Sequence, residues 1–237
     1  MEKQTINVPD AEGFVRPKTR RDFFKTLAVA GIGAAAGSAL LSREAQAQIG
    51  GSQEGDLGIL NFALTLELLE ARFYQQAVGS GVLSGDALAV VGQLAETEQA
   101  HVDVITAGIQ GAGGTPAPEP QFTFPPGALS SQGSILQLAA TLEPVGVGAY
   151  LGAGPMISDP TILELAGSIA GVEGEHVVAI NNLLGVVPPA NTAFAQALTK
   201  EQVLAAVAPF LGMGGGGASG GGGAGGGQLP KTGGPGA

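Results

Sequence analysis

Glu98-Gln99-Ala100-His101, inside the run from Leu94 to Ile105, and Glu173-Gly174-Glu175-His176, inside the run from Ile169 to Ile180, place both histidines of the sequence three residues after a glutamate. Residues i and i+3 share a helix face, so each pair can offer one oxygen and one nitrogen to a common point. Around the first pair Val91, Leu94 and Ile105 recur at steps of three and four; around the second, Ile162, Leu165 or Ala166, Ile169 and Ile180 do the same. That period predicts helices with one buried face. The middle of each face, which should be apolar, is ionisable.

The pattern extends to two further stripes. Leu60, Ala63, Glu67, Glu70 and Tyr74 form one, and Leu136, Ala139, Glu143, Gly146 and Tyr150 the other. Tyr74 lies seven residues after Glu67 and Tyr150 seven after Glu143, which is two helical turns on one face. Glu67 to Glu143 is 76 residues, as is Tyr74 to Tyr150; Glu98 to Glu173 is 75, as is His101 to His176. This repeat predicts two helical hairpins related by a pseudo-twofold axis.

Helix boundaries follow from caps and breakers. The first helix is expected from about Asp56, as cap, to Val78, and the second from about Ser84 to Gln110, capped by Ser84 or Asp86. The third is expected over about Ser134–Ala153 and the fourth over about Asp159–Leu184, with Pro160 in its first turn. A short fifth helix near Lys200–Leu211 opens with Thr199 and Gln202 at capping-box spacing. The first and second helices are joined through Gly79–Gly81, the third and fourth through Gly154–Ser158, but Gly111–Gly133, with five prolines, separates the second from the third. The expected fold is all-α: a four-helix bundle of two antiparallel hairpins joined by one long crossover, plus a short C-terminal helix. Pro144 removes a backbone donor beside Glu143 and predicts a kink or bulge, loosened further by Gly146 and Gly148.

One Glu from each of two helices and one Glu-x-x-His from each of the other two is the pattern of di-iron and di-manganese carboxylate sites. The expected metal ligands are Glu67, Glu98, His101, Glu143, Glu173 and His176, with Glu70 as a rival to Glu67 about 60° round the helix. Glu96 and Glu175 are expected to face solvent. Tyr74 and Tyr150 are the candidate catalytic side chains, either as hydrogen-bond donors to the ligands or as core aromatics. Four buried, unpaired carboxylates would cost several kcal/mol each, and Arg72 is the one Lys or Arg between Gln48 and Leu198. Two divalent ions would neutralise them. Oxygen and imidazole donors without sulfur suit iron or manganese better than copper(I), with zinc also compatible; the expected pair is iron first and manganese second, held about 3.5–4 Å apart so that O2 or peroxide can react between them.

The segment Leu60-Asn61-Phe62-Ala63-Leu64-Thr65-Leu66-Glu67-Leu68-Leu69-Glu70-Ala71-Arg72-Phe73-Tyr74, with the paired Glu-x-x-His, resembles the ferritin-like superfamily. Within it the sequence is similar to exported ferritin-like domain proteins that include desiccation-related members, over about Asp56–Leu211. The resemblance implies a ferritin-like four-helix bundle and an exported ferroxidase-like oxidoreductase handling iron, O2 or peroxide. A manganese catalase-like enzyme is the alternative, as is a non-enzymatic stress-response protein whose metal site is structural or vestigial. A homo-oligomer is compatible with it.

Composition narrows the partners. Residues 1–47 hold seven basic and five acidic residues, and the remainder three basic and fifteen acidic. So acidic a surface excludes nucleic acid and anionic lipid as partners. There is no cysteine, hence no disulfide, thiolate ligand or lipoprotein anchor. Thr19-Arg20-Arg21-Asp22-Phe23-Phe24-Lys25 resembles the twin-arginine export motif. The apolar stretch Leu27–Leu41 is short for a membrane span, and Ala45-Gln46-Ala47 offers a cleavage site. Residues 1–47 are therefore read as a signal peptide recognised by the twin-arginine machinery. Residues 48–211 are read as a soluble domain and 212–237 as a flexible glycine-rich tail, placing the mature protein in the periplasm, envelope or extracellular space. Leu229-Pro230-Lys231-Thr232-Gly233 matches a cell-wall sorting motif, but only Gly234-Pro235-Gly236-Ala237 follow, so a disordered terminus is expected there.

Overall fold

The computed structural model describes residues 55–187 and 193–211. The proposed export signal, its cleavage site and the sorting-like motif lie outside them. Among the described residues there are helices and no strands. Helix α1 spans Asp56–Gly79, α2 Gly85–Gly111, α3 Gln132–Ala153, α4 Pro160–Leu183 and α5 Lys200–Val207, with short 3-10 turns at Gly154–Met156 and Ala208–Phe210. This is the expected four-helix bundle with a short C-terminal helix.

The caps agree in part. Asp159 caps α4 by accepting from the Thr161 and Ile162 amides, with Pro160 next, and Thr199 and Gln202 form the capping box of α5. Helix α3 starts earlier than expected, because Ser131 and Ser134 build a capping box that recruits Gln132 and Gly133. Asp56 is not a cap. It sits inside the first turn of α1, behind Gly55, and its two carboxylate oxygens accept from the Ser158 and Asp159 amides at 2.9 and 2.7 Å. One side chain thereby ties the start of α1 to the start of α4.

Helix α1 packs along α2 and α3 along α4, while α1 also meets α3 and α2 meets α4. Fourteen residues of α1 are buried but only five of α4, so α1 lies deeper in the bundle and α4 packs through one narrow stripe. In that stripe Ala166, not Leu165, is the fully buried residue. Helix α3 is long and apolar enough to cross a membrane by composition, but 56% of its most apolar window is buried inside the bundle, which accounts for that composition. It runs unbroken through Pro144, whose ring is exposed. The helix thus continues through the proline, whose missing donor falls at a solvent-exposed position.

Two irregular segments cover the bundle. The crossover is pinned to α1 by Asn61, which accepts from the Ala117 amide at 2.6 Å and donates to the Thr115 carbonyl at 3.3 Å, and by the Arg72–Glu119 ion pair. Phe124 of the crossover then packs between Phe73 of α1 and Phe210. Over α3 lies the strap that leads into α5, where the Leu198 amide donates to the Gly148 carbonyl at 2.8 Å. A Cβ on Gly148 would stand 2.9 Å from the Gln196 carbonyl oxygen, and one on Gly152 would run into that of Leu198. Gly148 thus serves close packing of backbone on backbone and not loosening of the helix.

Candidate metal centre

The apolar core falls into two clusters. One contains Leu69, Tyr74, Leu94, Leu142 and Ile180; the other contains Leu64, Val102, Ile105, Tyr150 and Ile169. The sequence numbers on each helix bracket the same place, so the ionisable residues form a layer between the clusters. Glu67, Glu98, Glu143 and Glu173 are completely buried, and His101 and His176 are 7% and 5% exposed. Glu96 and Glu175 face solvent, as expected.

All six expected ligands converge. Nδ1 of His101 lies 3.1 Å from Glu67 Oε2, 3.1 Å from Glu98 Oε2 and 3.2 Å from Glu173 Oε1. Nδ1 of His176 lies 2.8 Å from Glu98 Oε1 and 3.4 Å from Glu143 Oε2. The rings stack with centroids 6.0 Å apart. Donor atoms of Glu67, Glu98, His101 and Glu173 fall within 4.8 Å of one another, and so do those of Glu98, Glu143, Glu173 and His176. Two overlapping positions result. Glu98 and Glu173 belong to both, Glu67 and His101 complete the first, and Glu143 and His176 the second.

Two ring nitrogens face all of these oxygens. His176 Nδ1, Glu98 Oε1, Glu143 Oε2 and both oxygens of Glu173 are buried without a hydrogen bond of good geometry, although His176 Nδ1 lies within ion-pair distance of Glu98 and Glu143 and His101 Nδ1 within that of Glu173. More buried oxygens crowd the shared volume than two ring nitrogens can satisfy. Buried polar atoms without partners are costly, and a cation in that volume would satisfy them together. The donor set, four carboxylates and two imidazoles, fits a pair of divalent ions by this test.

The tyrosines are the feature the helical stripes did not resolve. The Tyr74 hydroxyl donates to Glu143 Oε1 and the Tyr150 hydroxyl to Glu67 Oε1. Each tyrosine serves the other hairpin. Seven residues rise about 10.5 Å along a helix, so reciprocal pairs 74–143 and 67–150 require α1 and α3 to run antiparallel. Each terminal carboxylate gives one oxygen to a phenol and turns the other inward.

Charge follows geometry. Burial pushes the Glu67 carboxyl up, against the His101 hydrogen bond, to about 7. Burial also opposes ionisation of Glu98, but the His101 and His176 rings outweigh it and hold this carboxyl near 2. Burial disfavours the charged imidazoles too. Glu173, Glu67 and Glu98 nonetheless raise His101 to about 12, and Glu143 and Glu98 raise His176 to about 10. Burial keeps both phenols protonated, as donors.

From α1, Glu67 belongs to the first group of converging atoms. Glu70 is buried as well but belongs to neither group of converging atoms. On the Tyr150 side lies a small cavity of about 30 Å³, lined by Leu60, Ala63, Ile105, Ala166 and Ile169.

The sequence model of the family described as Ferritin-like domain matches residues 55–186, from the first turn of α1 to just past α4. No curated protein matches the chain.

Proposed function

The chain belongs to the ferritin-like domain family, and from that premise we propose that its buried layer holds two metal ions, iron first and manganese second, in an oxidoreductase of the ferroxidase type. One observation carries the proposal. Two four-residue donor groups share Glu98 and Glu173, and five of their buried donor atoms, on Glu98, Glu143, Glu173 and His176, lack hydrogen bonds. Bound iron would supply the redox change and the Lewis acidity for reaction with O2 or peroxide.

The residues of the chain do the rest. Glu98 and Glu173, common to both groups, would contribute to both positions. Glu67 with His101 would complete one, and Glu143 with His176 the other. Tyr150 and Tyr74 hold one oxygen of Glu67 and of Glu143, fixing which oxygen faces inward; they are positioning residues. The two apolar clusters keep bulk water away. The cavity beside Tyr150 suits a small uncharged oxidant such as O2.

Anaerobic titration with Fe(II), followed by exposure to O2, tests this reading. About two ions per chain and rapid oxidation are expected. Peroxide disproportionation without Fe(II) oxidation would favour the manganese catalase-like alternative. No bound metal under any loading condition would end the proposal. We propose export through the twin-arginine route on the strength of Arg20-Arg21 and the stretch after it; a mature terminus at Gln48, lost in the Arg20→Lys, Arg21→Lys double variant, is the expected result.

A further inference from the structure

Among the buried ionisable positions of α1 and α3, the 76-residue repeat that relates Glu67 to Glu143 and Tyr74 to Tyr150 fails at one: the counterpart of Glu70 is Gly146. Glu70 is 3% exposed, and its Oε2 has no hydrogen-bond partner. The groups that act on it most strongly, Glu173, Glu98, Glu143 and Glu67, are all carboxylates. An uncompensated fifth carboxylate in this layer is expensive, and an apolar residue would have filled the place.

Gly146 is also the spatial neighbour of Glu70. A Cβ there would lie 3.3 Å from Glu70 Oε1 and 3.0 Å from Glu173 Oε2. The register that sets residue 74 against 143 and 67 against 150 sets 70 against 147, one residue from 146. The pseudo-twofold axis therefore passes close to Glu70 and Gly146. Two glutamates facing each other across that axis would compete for one space, and a glycine on α3 leaves room for the single carboxylate from α1. The bare backbone at Gly146 lets two carboxylates, one of them shared by both metal positions, lie side by side.

We infer that Glu70 is a seventh ligand, supplied to one of the two metal positions only, so that the two positions differ in affinity and fill in sequence. This rests on the two-metal reading above. The six-residue set is symmetric and neutral with two divalent ions; Glu70 adds an anionic oxygen to one side.

The test is anaerobic titration of the metal-free full chain with Mn(II), following the free-ion electron paramagnetic resonance signal. The unaltered chain should bind two ions, the first roughly tenfold more tightly than the second. Glu70→Gln, close in shape, should still bind two but with constants within about threefold of each other. Gly146→Ala, with its fold checked by circular dichroism, should weaken the first step by pushing on Glu70 and Glu173. Two equal steps in the unaltered chain, or unequal steps that Glu70→Gln leaves unchanged, would overturn this inference and leave the two-metal reading intact. A chain that binds neither Mn(II) nor Fe(II) would overturn both.

Discussion

Arg72 on α1 and Gly148 on α3 are 76 residues apart and hold equivalent places in the two halves of the bundle, yet they are covered in opposite ways. Arg72 reaches out to Glu119 of the crossover with a long, half-exposed side chain, 2.6 Å from carboxylate oxygen to guanidinium. Gly148 has no side chain, and the strap lies directly on its backbone. Toward the centre the same two helices present matching residues, Glu67 and Tyr74 against Glu143 and Tyr150. Apart from Glu70 and Gly146, the ionisable layer facing the centre keeps the repeat, and the two covered outer positions abandon it. A face that must converge on common atoms tolerates little change, whereas an outer face needs only to be covered, and either a side chain or a bare backbone does that.

The sharpest way to break the comparison is at the centre. His101→Ala and His176→Ala should each bind one metal ion fewer than the unaltered chain and slow Fe(II) oxidation to a similar degree, measured by elemental analysis and stopped flow. Glu96→Ala, on the solvent face two residues from Glu98, should do neither. Loss of both ions in one histidine variant and none in the other would show that the halves are unequal where they look alike.

A smaller effect is expected from pH, which acts on the ionisable layer of both halves at once. In the metal-free chain the folded-state value of Glu67 rises, chiefly through burial, from 4.5 to about 7. Its contribution is therefore complete below 4.5 and lost as pH climbs through 7. His101 and His176, raised by the carboxylates from 6.5 to about 12 and 10, contribute fully below 6.5 and lose that contribution through 10 and above. Glu98, lowered to about 2, acts the other way, but only below 4.5. Between pH 5 and 9 the melting temperature of the metal-free chain should fall. The extra stability conferred by metal should widen over the same range, because ligation needs deprotonated donors. Parallel curves with and without metal would place the bound ion elsewhere.

The two covers give the smallest effects and sharpen the contrast. Gly152→Leu should drive the strap off α3 and cost about 3 kcal/mol, as forced overpacking does. Arg72→Ala removes an exposed ion pair and should cost less than about 1 kcal/mol. Urea denaturation measures both. A larger loss from Arg72→Ala than from Gly152→Leu would reverse the account of which cover holds more tightly.

These contrasts track what could be read in the sequence. The Glu-x-x-His pairs and the repeat foretold four helices, their connection and the six converging side chains, because a buried helical face has a strict period and charged residues stand out on it. Glu67 could not be separated from Glu70 by spacing, since 60° of helix decides nothing until the partner helices are in place. The reciprocal tyrosine bonds needed the antiparallel register of α1 and α3, a tertiary fact, although the equal seven-residue offsets on both helices were its trace. Gly148 looked like weakness in α3 because the strap that meets it, around Gln196 and Leu198, has no period of its own. The cap predicted at Asp56 failed for a similar reason: the amides it binds, those of Ser158 and Asp159, are over a hundred residues away.

The reciprocal tyrosine–glutamate bonds also bear on the order in which the chain folds. They join residues 69 and 83 positions apart, whereas each hairpin closes through a turn of a few residues. Loop closure over such a separation is slow relative to local helix pairing. The hairpins should therefore form early as separate units, and the step that sets Tyr74 on Glu143 and Tyr150 on Glu67 is their docking. Until that step the glutamates of each half remain in water, where their charges cost nothing. Substitution of either tyrosine by phenylalanine should accordingly hasten unfolding while leaving the rate of hairpin formation untouched.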